Sequence, residues 1–350
     1  MSKSSTRSKV SRTAGSAAGS AAGSAADSTA DSTAGSTGGG TAGGDLVTSA
    51  AGTLEPLSTF CDFLRYAVTR FNQAQIFCGH GLQNSYDEAV YLLQWALHLP
   101  LDRLEPFLAA TLTHSERATI IALIEARCQR TPAFYLTGRA WLAGSEFICD
   151  RRALIPRSLI AEALSTSLAD WIDQPPTRVL DLCSGGGSIA ILAAMHWPEC
   201  TVIAADLSQS ALQLANENIA LHQLQERVTT CESDLLNKLS GSQFDLILCN
   251  PPYVNTQSMQ QLPAEFLAEP QGALAGGHDG MDLIRRILFH TPTALSSKGA
   301  ILLEIGHEAE HFEMAFPSLE FGYLPVAQGE QMLVWITRQQ LLASLPLARS

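Results

Sequence analysis

Arg178-Val179-Leu180-Asp181-Leu182-Cys183-Ser184-Gly185-Gly186-Gly187 reads as a short buried strand running into a glycine turn. Apolar side chains carry the strand to Leu182, and the glycines let the backbone turn sharply and approach a ligand closely. Outward from this stretch the same cadence repeats. Thr201–Asp206, Val228–Cys231, Phe244–Cys249 and Ala300–Ile305 read as further strands, separated by helical segments at roughly Ser188–His196, Ser208–His222 and Met281–Leu288. This alternation predicts an α/β protein with a doubly wound, largely parallel sheet. Gly322–Val326 and Met332–Thr337 read as a final hairpin that adds one antiparallel strand.

The glycine turn by itself has two readings. Gly185-x-Gly187-x-x-Ala190, with Asp206 downstream, satisfies the dinucleotide fingerprint as well as a nucleoside-binding loop. Asp181 separates them in part: an acid four residues before Gly185 would lie beside the ligand, where it meets a cationic amino-acid moiety but repels a pyrophosphate. Asp206 closes the second strand and suits a ribose diol. Ser233-Asp234 follows the third strand and is placed to meet an adenine amino group. Any one of these acids could be a solvated strand end. Three after successive strands describe a site.

Asn250-Pro251-Pro252-Tyr253 follows the fourth strand. An amide, two prolines and an aromatic ring at a strand's carboxyl end form a rigid corner on the edge where open α/β sheets bind ligands. The Asn250 side-chain oxygen and a proline carbonyl are both acceptors, suited to holding a planar amino group by its hydrogens. The Tyr253 ring can stack on a flat π-system.

The rest of the chain bounds these readings. Residues 1–52 are Ala-Gly-Ser-Thr repeats, predicted to be a disordered low-complexity tail. Their basic, serine-rich opening (Lys3, Arg7, Lys9, Arg12) is faintly similar to an organelle transit peptide, although a solvated tail is the simpler reading. Residues 53–132 read as a small helical domain: Phe60, Phe63, Leu64, Ala67 and Phe71 share a helical face, and Ser85-x-x-Glu88 and Thr113-x-x-Glu116 look like capping boxes. Residues 133–155, aromatic and β-branched with breaks at Gly138 and Gly144, read as a hairpin linker to a catalytic domain over 156–350. Net charge is −12. Four basic and three acidic residues fall in the first 52, so the remainder carries −13, a field that disfavours nucleic acid and suits a basic partner. Eight cysteines without a CxxC pair, and nine histidines without ligand spacing, suggest a reduced cytoplasmic protein with no metal site. No apolar run approaches the roughly 18 residues of a membrane span.

Taken together, the acidic strand ends and the glycine loop resemble the class I S-adenosylmethionine-dependent methyltransferases, with their Rossmann-like sheet. The resemblance implies S-adenosyl-L-methionine as cofactor. It assigns Asp181, Ser184, Gly185 and Gly187 to the methionine part, Asp206 with Leu207 to the ribose end, and Asp234 with Leu235 to the adenine, with Asn250 nearby. Cys183 departs from it, standing where many members have glycine. In that family the Asn-Pro-Pro-Tyr corner marks transfer to a planar nitrogen, so Asn250, Pro251, Pro252 and Tyr253 become the catalytic candidates. Alignment and electrostatics would suffice there, without a nucleophilic side chain or a metal.

Two further stretches look like the protein-glutamine methyltransferases: Leu154-Ile155-Pro156-Arg157-Ser158-Leu159-Ile160-Ala161-Glu162, and Leu262-Pro263-Ala264-Glu265 through Glu269-Pro270, Gly276-Gly277, Asp279-Gly280 and Arg285-Arg286-Ile287. Those enzymes carry a helical N-terminal domain that recognises the substrate. One branch modifies the Gly-Gly-Gln motif of peptide release factors and typically reads Pro-Arg-Pro-Asp-Thr-Glu near position 156. The Ser158-x-Ile160-Ala161-Glu162 form, Cys183, and Tyr135-Leu136-Thr137-Gly138-x-Ala140-Trp141 look like the other branch, which acts on a glutamine of large-subunit ribosomal protein L-three. The expected partner is therefore that basic protein. A DNA adenine methyltransferase shares the corner but predicts a recognition domain and basic groove that the sequence lacks. A catalytically silent RNA-binding or ribosome-assembly module and a nicotinamide oxidoreductase are the remaining alternatives.

Overall fold

The computed structural model describes residues 57–327 and 329–344, so the tail reading for 1–52 lies outside the described residues. Thr59 opens α1 (Phe60–Gln73): its hydroxyl accepts the Asp62 N–H while the Asp62 carboxylate accepts the Thr59 N–H, a reciprocal cap. α2 (Ser85–Ala96) starts differently from the expected Ser85 box. Asn84 is the cap, its side-chain oxygen accepting the Tyr86 and Asp87 N–H groups at 3.0 Å. α3 (His114–Cys128) carries the expected Thr113–Glu116 box. Phe60, Phe63, Leu64, Ala67 and Phe71 of α1, Leu92 and Leu93 of α2, and Ile120 and Ile124 of α3 close into one apolar core.

The aromatic stretch after Pro132 first forms a helical turn, α4 (Ala133–Thr137), ended by Gly138 at φ +68°. The hairpin comes after it, β1 (Arg139–Leu142) against β2 (Ser145–Ile148). The chain then runs through α5 (Leu159–Ser165), β3 (Arg178–Leu182), α6 (Ser188–His196), β4 (Thr201–Asp206), α7 (Gln209–Leu221), β5 (Val228–Glu232) and β6 (Phe244–Cys249). Two short helices, α8 (Thr256–Met259) and α9 (Ala264–Leu267), precede α10 (Asp282–Ala294) and β7 (Leu295–Glu304). α11 (Ala309–Ala315), β8 (Gly322–Tyr323), β9 (Leu333–Thr337) and α12 (Arg338–Ser344) complete it. α10 continues beyond the expected Leu288 and takes Pro292 into its last turns.

Seven strands form one sheet in the order β5-β4-β3-β6-β7-β9-β8. β3 to β7 are parallel, β9 is antiparallel to β7, and β8 pairs antiparallel with β9. The apolar runs alternate between two covered faces, as buried parallel strands must. Leu246, Leu248, Ala300, Leu302, Leu333 and Trp335 pack with α5 and α6 on one side. Ile247, Cys249, Ile301, Leu303, Val334 and Ile336 pack with α10 to α12 on the other. Strand order reverses between β3 and β6, and a crevice opens outside their carboxyl ends at that switch point.

Candidate active site

The loop after β3 is held from the next strand. The Asp206 carboxylate accepts the Gly185 N–H on Oδ2 and the Ser208 N–H on Oδ1, both at 2.8 Å. Burial pushes this carboxyl up in pKa, against those backbone donors. Asn218 of α7, which sequence reasoning missed, ties the loop to the hairpin: its Nδ2 donates to the Gly186 and Ile148 carbonyls and its Oδ1 accepts the Ile148 N–H. Gly187, at φ +79°, sits so close to α7 that a Cβ there would lie 3.0 Å from the Ala215 Cβ.

Cys183, the departure noted above, adopts φ +62°. That left-handed conformation explains why glycine would be usual there, and it costs a non-glycine residue about 1–3 kcal/mol. Cys183→Gly removes the strain, offset by about 0.5–1 kcal/mol of extra chain entropy in the unfolded state. The expected result, read by calorimetric unfolding, is a midpoint raised by about 2–4 °C per kcal/mol of net gain. Cys183→Ala, which keeps the strain, should give no rise.

The crevice holds about 490 Å³, within the range of small-ligand sites. Of the expected cofactor residues, Ser184, Gly185, Asp206, Leu207, Asp234, Leu235 and Asn250 line it. Asp181 and Gly187 stand behind its wall. Asp181 is fully buried, its Oδ2 accepting the Ala190 N–H at 2.9 Å, and burial holds its carboxyl well above the ordinary carboxylate range. Asp181 Oδ1 and Ser184 Oγ are buried without a partner among the described residues. Asp234, read as an adenine contact, also meets Arg286 of α10, whose Nη2 donates to both its oxygens at 2.9 and 2.7 Å.

Three arginines line the crevice and each has a carboxylate: Arg152 with Asp150 and Glu217, Arg286 with Asp234, and Arg157 with Glu269. No free guanidinium among them opposes a cationic ligand.

At the fourth strand end, Asn250 and Pro252 line the crevice and Pro251 is buried. The Asn250 side chain makes no hydrogen bond among the described residues, so its amide is available to a ligand. Tyr253 is not among the residues that line the crevice. Its ring packs on Gly306, where a Cβ would come within 2.5 Å of Cε2, and its hydroxyl approaches Glu304 Oε1 at 3.5 Å. Its backbone leaves no room for a Cβ on Gly276 or Gly280, at 2.7 and 2.3 Å. Glu304, also missed, is buried and accepts the Ser158 hydroxyl at 2.5 Å and the Leu159 N–H at 3.0 Å. It thereby links the Ser158–Glu162 stretch to the Asn-Pro-Pro-Tyr corner. Among the described residues no group of three or more His, Cys, Asp or Glu is arranged to hold a metal, and no helix is long and apolar enough to cross a membrane.

A largely parallel sheet in this order, with an acid at or just past the end of each of β3, β4 and β5, is that of a Rossmann-like methyltransferase dependent on S-adenosylmethionine. The family model described as "Methyltransferase small domain" matches residues 161–281. Curated relatives extend the likeness over most of the chain. A ribosomal protein uL3 glutamine methyltransferase of Bordetella pertussis is 49% identical over 290 residues, covering 82% of this chain and 97% of the relative. Proteins of the same name from Neisseria gonorrhoeae and Burkholderia pseudomallei are each 44% identical, over 291 and 298 residues, with 82% and 97% coverage in both cases. The chain belongs to the ribosomal protein uL3 glutamine methyltransferase family.

Proposed function

We propose that this protein transfers a methyl group from S-adenosyl-L-methionine to the side-chain amide nitrogen of a glutamine in uL3, the large-subunit ribosomal protein L-three. The observation that carries this reading is Asn250, whose uncommitted amide faces the crevice beside the glycine loop. Ser184, Gly185, Asp206, Leu207, Asp234, Leu235 and Asn250 would hold the donor. Asp181 and Gly187 would act from behind, shaping the loop. The residues fit such a donor: the orphaned Ser184 hydroxyl oxygen, on the crevice wall, can take an N–H or O–H group, and the paired arginines leave no free cation in the crevice. When bound, the donor supplies a methyl group on a positively charged sulfur, already activated for transfer.

An amide nitrogen is a poor nucleophile because its lone pair is delocalised. Asn250 Oδ1 and the Pro251 carbonyl can accept its two N–H bonds, orienting the nitrogen and favouring positive charge on it as it is methylated. Pro252 holds the corner's shape, and Tyr253, braced on Gly306, keeps it in place. The helical region 53–132 would recognise the substrate, with 133–155 as linker and 156–350 as catalytic domain. The acidic chain suits a basic ribosomal protein, and the cytoplasm, where that protein is made, is the site of reaction.

The test is incubation of purified uL3 and a peptide release factor, separately, with the enzyme and labelled donor. Label on uL3 alone is the expected result. Label on the release factor alone would move the chain to the other branch of glutamine methyltransferases.

A further inference from the structure

Glu269 is a buried carboxylate with three partners from distant parts of the chain. Its Oε1 meets His80 Nε2 at 2.9 Å, and its Oε2 accepts the Ile155 N–H at 2.9 Å and Arg157 Nη1 at 2.8 Å. Ile155 and Arg157 line the crevice, and so do Pro270, Gly272 and Ala273, just after Glu269. One side chain therefore joins two lining segments of the crevice to each other and to the helical region.

Its pairing with Arg157 differs from the other two in the crevice. Arg152 is about as exposed as Arg157, but its carboxylate partners, like both members of the Arg286 pair, are open to water, where screening leaves little field. The Glu269 side chain is wholly buried and Arg157 is 26% exposed, stacked over the Phe266 ring at 5.0 Å. Burial raises the Glu269 carboxyl, but the bonds from His80 and Arg157 outweigh it and hold it below its ordinary value. A partly buried guanidinium acts at longer range than an exposed one, because the surrounding dielectric is lower.

We propose that Glu269 is a positioning residue that sets the crevice's preference for the cationic methyl donor over its neutral product, by cancelling the charge of Arg157. This rests on the methyltransferase reading above. S-adenosylmethionine carries a sulfonium cation, and S-adenosylhomocysteine carries a neutral thioether in the same place. A free Arg157 charge would repel the first and leave the second largely unaffected. Glu269→Gln keeps the shape and one acceptor oxygen for Ile155 but removes the charge.

The experiment is calorimetric titration of the full chain with each compound, for wild type, Glu269→Gln, Arg157→Gln and the double variant. Glu269→Gln should raise Kd for S-adenosylmethionine about tenfold relative to that for S-adenosylhomocysteine. The double variant should restore the wild-type ratio, and Arg157→Gln alone should shift it the opposite way. The last comparison decides the matter even if Glu269→Gln does not fold. An unchanged ratio in the variants, whether both ligands weaken or neither does, would overturn the proposal, since a purely structural role lowers both affinities together. If wild type binds neither compound, the methyltransferase reading itself falls, and this proposal with it.

Discussion

Asn250→Ala is expected to lower kcat for uL3 methylation by about 10²–10³-fold, the usual cost of deleting one preorganised group that acts on developing charge. The side chain has no bond to the rest of the protein among the described residues, so its loss should leave the unfolding midpoint close to wild type. Steady-state kinetics, with donor binding measured in parallel, separates the two quantities. Donor affinity should fall far less than kcat, because Asn250 is one of seven expected donor contacts along the crevice while the target amide depends on it for one of two acceptors. Asn250→Asp probes the same point chemically: it retains an acceptor but adds a negative charge, and it should recover part of the rate.

The largest expected loss of stability comes from Arg127, the largest fully buried side chain of the described residues. Its Nε donates to Glu88 Oε2 at 2.6 Å, its Nη1 to Glu265 Oε1 at 3.0 Å and its Nη2 to the Phe77 carbonyl at 3.0 Å. Glu265 lies on α9, between Asn250 and α10, so this cluster fastens the helical region to the segment that follows the Asn-Pro-Pro-Tyr corner. Arg127→Ala strands the buried Glu88 carboxylate and leaves Glu265, whose Oε2 is already unpartnered, with only Arg130 and the Phe77 N–H. The expected cost is about 3–5 kcal/mol, or roughly 10 °C in the unfolding midpoint. Burial raises the Glu265 carboxyl, but the Phe77 N–H, Arg127 and Arg130 together hold it below its ordinary 4.5. Its contribution is therefore complete above pH 4.5 and is lost as pH falls through the depressed native value. In Arg127→Ala a buried carboxylate that has lost its charged partner gains by protonation instead, so the gap between variant and wild type should narrow as the pH is lowered. Denaturation at neutral and acid pH checks both parts. Replacing Arg127, Glu88 and Glu265 together by apolar residues of similar volume should recover much of the loss.

The sheet was legible because its strands are apolar runs closed by acids or glycines: Arg178–Leu182, Thr201–Asp206 and Phe244–Cys249 have the boundaries that the sequence predicts. Local signals also located the Thr113 cap, but Asn84 outcompetes Ser85 one residue earlier because its amide oxygen reaches two backbone N–H groups at once. What sequence could not show are pairings between distant residues. Asp234 and Arg286 lie 52 positions apart, Glu269 and His80 lie 189 apart, and Glu304 and Ser158 lie 146 apart. The direction of a side chain at a strand end was equally hidden. Asp181 follows Leu180 by one residue of alternation, so it turns toward the α6 face and bonds Ala190, while Asp206, at the end of its strand, reaches the glycine loop. The Tyr253 ring packs where Gly306 leaves space for it, a vacancy contributed by a loop 53 residues further along.

Fragmentation mass spectrometry of uL3, after reaction with wild-type enzyme and with Asn250→Ala, is the most direct test of glutamine amide methylation. The predicted result is one added methyl group on the side-chain nitrogen of a glutamine with wild type, and almost none with the variant. A methyl group on a lysine, an arginine or the amino terminus, or equal methylation by Asn250→Ala, would contradict it.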